Sequence, residues 1–414
     1  MERYDAERLV AVSAVESLRA GVPTRVSTRE LTDLRPALTG CIRTDLLTFL
    51  DGRAPRGRLV WGQYGQGKTH VLTAVEHMAL DMGFAVSMVS LNREVSCHNL
   101  LHFYGRVAPQ VRTPDSTILG VERGLLQKTA EDLANSPLQD PDRYCHPLPA
   151  QILEDFFHTT GEDQNLLYGD LAGIRLPISE FRRIHRQCRQ SPLPKAPVPF
   201  KMAEHAAAYF GVMADAIRLC GYKGWVILID EVELTGRLGN LNRLKAYRNL
   251  HWLLNWSGTM QYPIYTLAAA ATRLQDDIWY GGGKDDRNVM PDFAAAQLGE
   301  AAGRELEVFF ERAIGNESLV AAPVDEDNLY GLLAALATLH GRAYNWPAQF
   351  DMCQLVRDMG AQPVRTYVRA AMESLDHQYV YNENARLIAS VLTEQTLDGV
   401  VEEEPDDGAE TGDE

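Results

Sequence analysis

No stretch of this 414-residue chain contains 18 or more consecutive apolar residues, so no segment reads as a membrane-spanning helix. The opening Met1-Glu2-Arg3-Tyr4 has neither the basic nor the apolar region of a secretory signal, and the expectation is a soluble cytoplasmic protein. Cysteine is sparse. The six, at 41, 97, 145, 188, 220 and 353, are scattered and form no C-x-x-C pair, which argues against a disulfide framework or a thiol redox motif. Cys97-His98 and Cys145-His146 lack the two-to-four-residue ligand spacing that zinc sites use. Positive charge is also short: 40 Lys and Arg against 56 Asp and Glu give a net charge of -16. A body this acidic does not coat nucleic acid indiscriminately, although a local basic groove remains compatible with it. No repeat of fixed period is visible. What remains, 45% apolar and 23% charged residues, is ordinary globular composition with length for two or three domains.

The negative charge is uneven. From Leu397 to the end there are nine acidic residues and no basic one, leaving -7 for the rest of the chain. Such a segment cannot bury a core and is expected to be a disordered, solubilising tail or a docking segment for a basic partner.

The most informative stretch is Gly62-Gln63-Tyr64-Gly65-Gln66-Gly67-Lys68-Thr69, a complete G-x-x-x-x-G-K-T loop. It follows the apolar Leu59-Val60-Trp61 and precedes the helix-like Val71-Leu72-Thr73-Ala74-Val75, the strand, loop and helix order that this motif requires. Its glycines let backbone N–H groups converge on a phosphate, assisted by the positive end of the following helix. Lys68 is then placed for the β- and γ-phosphates of ATP, and the Thr69 hydroxyl for Mg²⁺. The whole loop, with His70 directly after it, is the candidate nucleotide-binding stretch.

A second element complements the first. Trp225-Val226-Ile227-Leu228-Ile229 is a continuous apolar run ending in Asp230-Glu231, read as a buried parallel strand that delivers two carboxylates at its C-terminal end. Alone, this pattern is better read as an acidic helix cap after a core strand. With the loop at 62–69, it reads as Asp230 holding Mg²⁺ through water and Glu231 orienting the attacking water. Glu233 is read as a solvated helix charge and a fallback base.

Between the strand near 84–91 and the one near 225, about 130 residues are mostly helical and broken by prolines at 192–199. That is far more than a crossover needs, and it reads as an insertion from about 92 to 224. Beyond the acidic strand, a helix carrying Arg243, Lys245, Arg248, His251 and Trp252 offers either a solvated charged face or a surface for nucleic acid. The strand Ile264 to Thr272 follows, and helical patterns return from Asp325.

Phosphate loop, Asp-Glu strand, a polar residue closing the next strand and a trailing helical domain together resemble AAA+ ATPases of the origin-recognition-like group. The resemblance implies an α/β fold with a mostly parallel sheet over 1–324, a helical lid over 325–396 and the acidic tail over 397–414. It places Thr272, alone or together with Arg273, as the first sensor, and Arg365 of Pro363-Val364-Arg365 as the second. It also calls for an arginine finger acting on a neighbouring subunit, with Arg312 the first choice and Arg304 the second; each is equally a surface ion-pair residue. Adenine contacts in this group come from the segment before the loop, which here gives Val22 and Pro23.

A narrower resemblance rests on Ala14-Val15-Glu16-Ser17-Leu18-Arg19-Ala20-Gly21-Val22-Pro23-Thr24-Arg25 and on Cys220-Gly221-Tyr222-Lys223-Gly224-Trp225 running into Ile229-Asp230-Glu231-Val232-Glu233-Leu234. These resemble the BrxD-like ATP-binding proteins of bacteriophage-exclusion (BREX) systems. The segment 92–224 matches them only at its two ends. The resemblance implies antiphage defence, self-association through the nucleotide interface, and a DNA helicase or other defence subunits as partners, with DNA met directly or through them. Two functions remain open: an ATPase motor or switch, and a nucleotide-gated docking module with little turnover. A transporter-type ATPase is disfavoured because no LSGGQ-like signature occurs. Replacing Lys68 by Ala should abolish ATP binding or nearly so; unchanged affinity in a calorimetric titration would refute the loop assignment.

Overall fold

The computed structural model describes residues 2–21, 24–31, 33–50, 55–140, 142–196, 198–281 and 283–382. The acidic tail expected from 397 lies outside them. At the centre is a parallel five-stranded sheet, β1 (Arg58–Gly62), β2 (Ala85–Ser90), β3 (Trp225–Asp230), β4 (Ile264–Ala271) and β5 (Ser318–Val320), in the order β2-β3-β4-β1-β5. Ser90 stands opposite Asp230 and Gly62 opposite Ala271, while Ile229 stands opposite Ala268, so β2 and β3 end together about two residues before β1 and β4, on the same side of the sheet. The expected strands agree with these to within a residue or two. β5 was not anticipated, because three residues of which Val320 is largely exposed carry no run of apolar character.

Alternation along the strands explains the layers. Trp225, Ile227 and Ile229 face one core, while Val226 and Leu228 face the other. The smaller face is covered by α3 (Pro36–Leu50) and α4 (Lys68–Asp81), through Ile42, Leu46, Val71, Leu72 and Val75. Pro36 opens α3 where its missing N–H costs nothing.

The other face carries the long segment between β2 and β3. It holds α5 (Leu100–Val107), α6 (Glu122–Leu125), α7 (Ala130–Ala134), α8 (Leu148–Phe156), α9 (Glu162–Leu171), α10 (Ile178–Arg189) and α11 (Met202–Leu219). These helices do not form a separate body: Phe156, Phe181 and Phe210 belong to the same core cluster as Trp225 and Ile229. Phe210 stacks on Trp225 with ring centres 5.9 Å apart. The same layer includes α12 (Asn240–Leu253), α13 (Asp286–Leu298) and α14 (Glu300–Ile314).

A second body of packing joins the two ends of the described chain. α1 (Glu2–Arg19) lies against α15 (Glu326–Tyr344) and α17 (Val364–Tyr381), with α16 (Met352–Met359) beside α17 and the short α2 (Arg25–Glu30) leading back to α4. Ala11, Ala14, Val15 and Leu18 share one core with Leu332, Leu336, Val368 and Leu375. Asp325 and Asp351 cap α15 and α16 by accepting backbone N–H groups of Asn328 and Gln354.

The helix at 243–252 corrects the sequence reading. Arg243 is buried rather than solvated: Nε and Nη2 donate to the two oxygens of the buried Asp286 at 2.8 and 2.9 Å, and Tyr247 Oη donates to the same carboxylate at 2.8 Å. Arg248 is engaged with Glu305 at 2.9 Å. The apparent basic face is therefore largely used in joining α12 to α13 and α14. Asp286→Ala would leave the Arg243 guanidinium buried without its counter-charge, and should lower unfolding free energy by about 3–5 kcal/mol in urea titration; a loss under about 1 kcal/mol would contradict this account.

Candidate nucleotide site

The cradle is built by the transition from β1 to α4. Gly65 and Gly67 adopt φ of 78° and 84°, left-handed values that residues with a Cβ rarely take. Gly67 is also the N-cap of α4, so the loop ends where unpaired N–H groups and the helix dipole favour an anion. Lys68 Nζ folds back to donate to the carbonyls of Gly62 and Gln63, at 3.0 and 3.2 Å.

β4 lies between β1 and β3, so the loop and the acidic strand are two strand spacings apart, roughly 10 Å. The first turn of α4 crosses that gap. Thr69 Oγ1 donates to Asp230 Oδ2 at 2.5 Å, while Asp230 Oδ1 accepts the Glu231 backbone N–H at 2.9 Å. Both expected stretches thus meet in one cavity, which is lined by Tyr64, Gly65, Gly67, Lys68, Thr69, His70, Asp230, Glu231 and Glu233.

Charge in the cavity is unbalanced towards acid. Partial burial and then the neighbouring Asp230 push the Glu231 carboxyl above the usual carboxylate range; a hydrogen bond with Ser90 and the Lys68 charge oppose this. A carboxylate shifted upward is better matched to accepting a proton near neutral pH. Glu233 corrects the expectation of a solvated charge. Burial raises its pKa as well, and its Oε2 accepts the Ala271 N–H at 2.9 Å.

Apolar walls complete the cavity, and these the sequence reading missed. Leu18, Leu31 and Leu34 come from the N-terminal segment; Leu332, Val364 and Val368 come from α15 and α17. In sequence they are indistinguishable from ordinary core positions of amphipathic helices. Val22 and Pro23, the expected adenine contacts, lie outside the described residues, although Gly21 beside them lines the cavity. Arg35 was also missed. Buried behind the loop, it donates from Nη2 to Gln66 O at 2.6 Å and Ala322 O at 2.9 Å, tying the crest of the cradle to the chain beyond β5.

The expected accessory residues are placed unevenly. Arg365 lines the cavity, with its N–H on Gly65 O at 3.2 Å, its Nη1 on Tyr64 Oη at 2.6 Å and its guanidinium 4.8 Å above the Tyr64 ring. Thr272 follows β4, and its N–H approaches Gly62 O at 3.4 Å, but it is outside the cavity-lining set. Arg273 pairs with Asp277 at 3.4 Å. Arg312 is held by Glu317, whereas Arg304 is exposed on α14.

Among the described residues, no cluster of three or more His, Cys, Asp or Glu side chains forms a metal site. One hydroxyl and one carboxylate, Thr69 and Asp230, fit Mg²⁺ as it occurs beside phosphates, where substrate and water supply most of the ligands. No helix among the described residues is long and apolar enough to cross a membrane.

An all-parallel sheet in this order, with a glycine cradle closing β1 and carboxylates closing β3, defines the class: the fold is consistent with a phosphate-loop nucleoside triphosphatase. The family described as BREX system ATP-binding protein BrxC/D matches residues 8–133 and 196–277, together half of the chain. The chain belongs to that ATP-binding family of the BREX defence system. The unmatched residues 134–195 hold α8 to α10, and the match ends before α13. No curated protein and no solved structure matches the chain.

His70 provides a test of how dry the base of this cavity is. Burial, with the Arg35 charge nearby, pushes its imidazole from the ordinary 6.5 down to about 4, and Nδ1 lies 3.4 Å from Thr28 Oγ1. The unfolded ring takes up a proton near pH 6.5 and the folded ring only near 4. Stability contributed by the neutral ring is whole above pH 6.5 and is lost as pH falls towards 4. Melting temperature should drop more steeply across that window in the native chain than in His70→Gln; equal slopes would show that the ring is not held neutral.

Proposed function

We propose that this chain is a Mg²⁺-dependent ATPase of AAA+ organisation, acting in the cytoplasm with a DNA-associated partner, a helicase or another defence subunit, in antiphage defence. The observation that carries this reading is the 2.5 Å contact of Thr69 with Asp230, with Lys68 and Glu231 in the same cavity. Family membership supports ATP as the ligand.

In this reading the loop N–H groups and Lys68 bind and orient the phosphates, and Lys68 exchanges its present carbonyl partners for the β- and γ-phosphates. Thr69 Oγ1 and Asp230 would hold Mg²⁺, which when bound neutralises charge between the phosphates. Glu231 positions a water in line with the γ-phosphorus and accepts its proton as the bond to ADP breaks. The apolar walls take the adenine and exclude water from it.

The described helices of the 325–396 region, α15 to α17, serve as the lid, with Arg365 as its sensor, and the segment 92–224 is an insertion that carries partner specificity. Thr272, from the end of β4, senses the γ-phosphate as the lid closes. Self-association across the nucleotide supplies the arginine finger. Arg304 suits that role better than Arg312, because its side chain is exposed while Arg312 is committed to Glu317 within its own chain.

Glu231→Gln separates the enzyme from a docking module. Steady-state turnover should fall by about 10²-fold or more while ATP stays bound, measured by phosphate release and filter retention with and without DNA. Negligible turnover in both the native and variant chains would instead support a module that binds ATP and docks its partner.

A further inference from the structure

Glu233 belongs to neither of the roles that the Asp-Glu motif assigns. It sits in the 3₁₀ turn Val232–Arg237 that leaves β3 and lines the same cavity as Asp230 and Glu231. Its acceptor contact is with Ala271, the last residue of β4 and the register partner of Gly62, one position before Thr272. A single carboxylate therefore ties the turn after β3 to the end of the adjacent strand, at the level where the cradle begins.

That turn needs to be held. Glu231 has φ 57° and ψ 37°, the left-handed region, which costs energy for any residue with a Cβ. On its N-terminal side the backbone is pinned by the pairing of β3 with β2 and by the Asp230 side chain on the Glu231 N–H. On its C-terminal side, beyond the buried Val232, the nearest hydrogen bond to another element among the described residues is that of Glu233 with Ala271; Lys284 Nζ on Gly236 O at 2.8 Å comes three residues later. Without the first tether the backbone can relax out of the left-handed region, and the Glu231 carboxylate swings with it.

We propose that Glu233 is a positioning residue: by accepting the Ala271 N–H it holds Glu231 in the turn that aims its carboxylate into the cavity, and it sets the end of β4 beside the cradle. This rests on the hydrolytic reading above. The role is that of an acceptor, which an amide oxygen can also fill, so geometry and charge can be separated.

The experiment compares Glu233→Ala and Glu233→Gln with the native chain for kcat, KM for ATP and hydrogen exchange at the Ala271 amide. Glu233→Ala should lower kcat by roughly 10- to 100-fold, the scale of a displaced catalytic group, with KM changed less than about 3-fold. Glu233→Gln should restore kcat to within about 3-fold of native. An unchanged kcat in Glu233→Ala, or a Gln variant no better than Ala, would overturn the proposal. If the native chain hydrolyses no ATP, the hydrolytic reading falls by itself. Exchange at Ala271, slow in the native and Gln chains and fast in the Ala chain, still decides whether Glu233 holds the turn, and equal rates in all three would end the inference.

Discussion

The contact between the Thr69 hydroxyl and the Asp230 carboxylate is the link on which the rest of the site depends. It exists because β1 and β3 run the same way in one sheet, with only β4 between them, so that the residues after each strand emerge on the same side. An antiparallel pairing would send those ends to opposite edges. With the crossing in place, Lys68, Glu231 and Glu233 all reach one volume, which the cradle residues Gly65 and Gly67 also line.

The cavity is closed by a different logic. Its polar floor belongs to the sheet, but its apolar walls belong to the second core, in which α1 packs with α15 and α17. Segments more than 300 residues apart in sequence, such as those of Leu18 and Val364, therefore line one cavity and share one core. The joint between floor and walls is narrow: a Cβ on Gly65 would lie 3.0 Å from Pro363 Cβ, and Arg365 meets both the Gly65 carbonyl and Tyr64. Displacement of the start of α17 would thus be felt directly by the phosphate cradle.

Legibility differed sharply between residues of similar chemistry. Lys68, Thr69, Asp230 and Glu231 were readable because their spacing within a strand-loop-helix or at a strand end has few other uses. Glu233 and Arg35 were not, since a charged residue that is buried by its neighbours looks in sequence like one on a surface. Arg243 is a further case: a basic helix suggests a solvated face or a nucleic-acid surface, and Asp286, 43 residues later, takes up its charge in the interior. The strand β5 escaped notice because it is short and half-exposed, and its place at the edge is fixed by pairing with β1 rather than by its own composition.

By itself the sequence determined the ligand chemistry: a glycine cradle with lysine and threonine, an apolar strand ending in two carboxylates, and the family to which both belong. Local spacing suffices for that, because the cradle and the strand end are each made by contiguous residues whose backbone preferences are intrinsic. Tertiary structure decided what surrounds them: which carboxylate holds the turn, which arginine buttresses the loop, and which leucines from the two chain ends form the walls. Those choices depend on burial and on partners far away in sequence, and neither is encoded in the spacing of neighbouring residues.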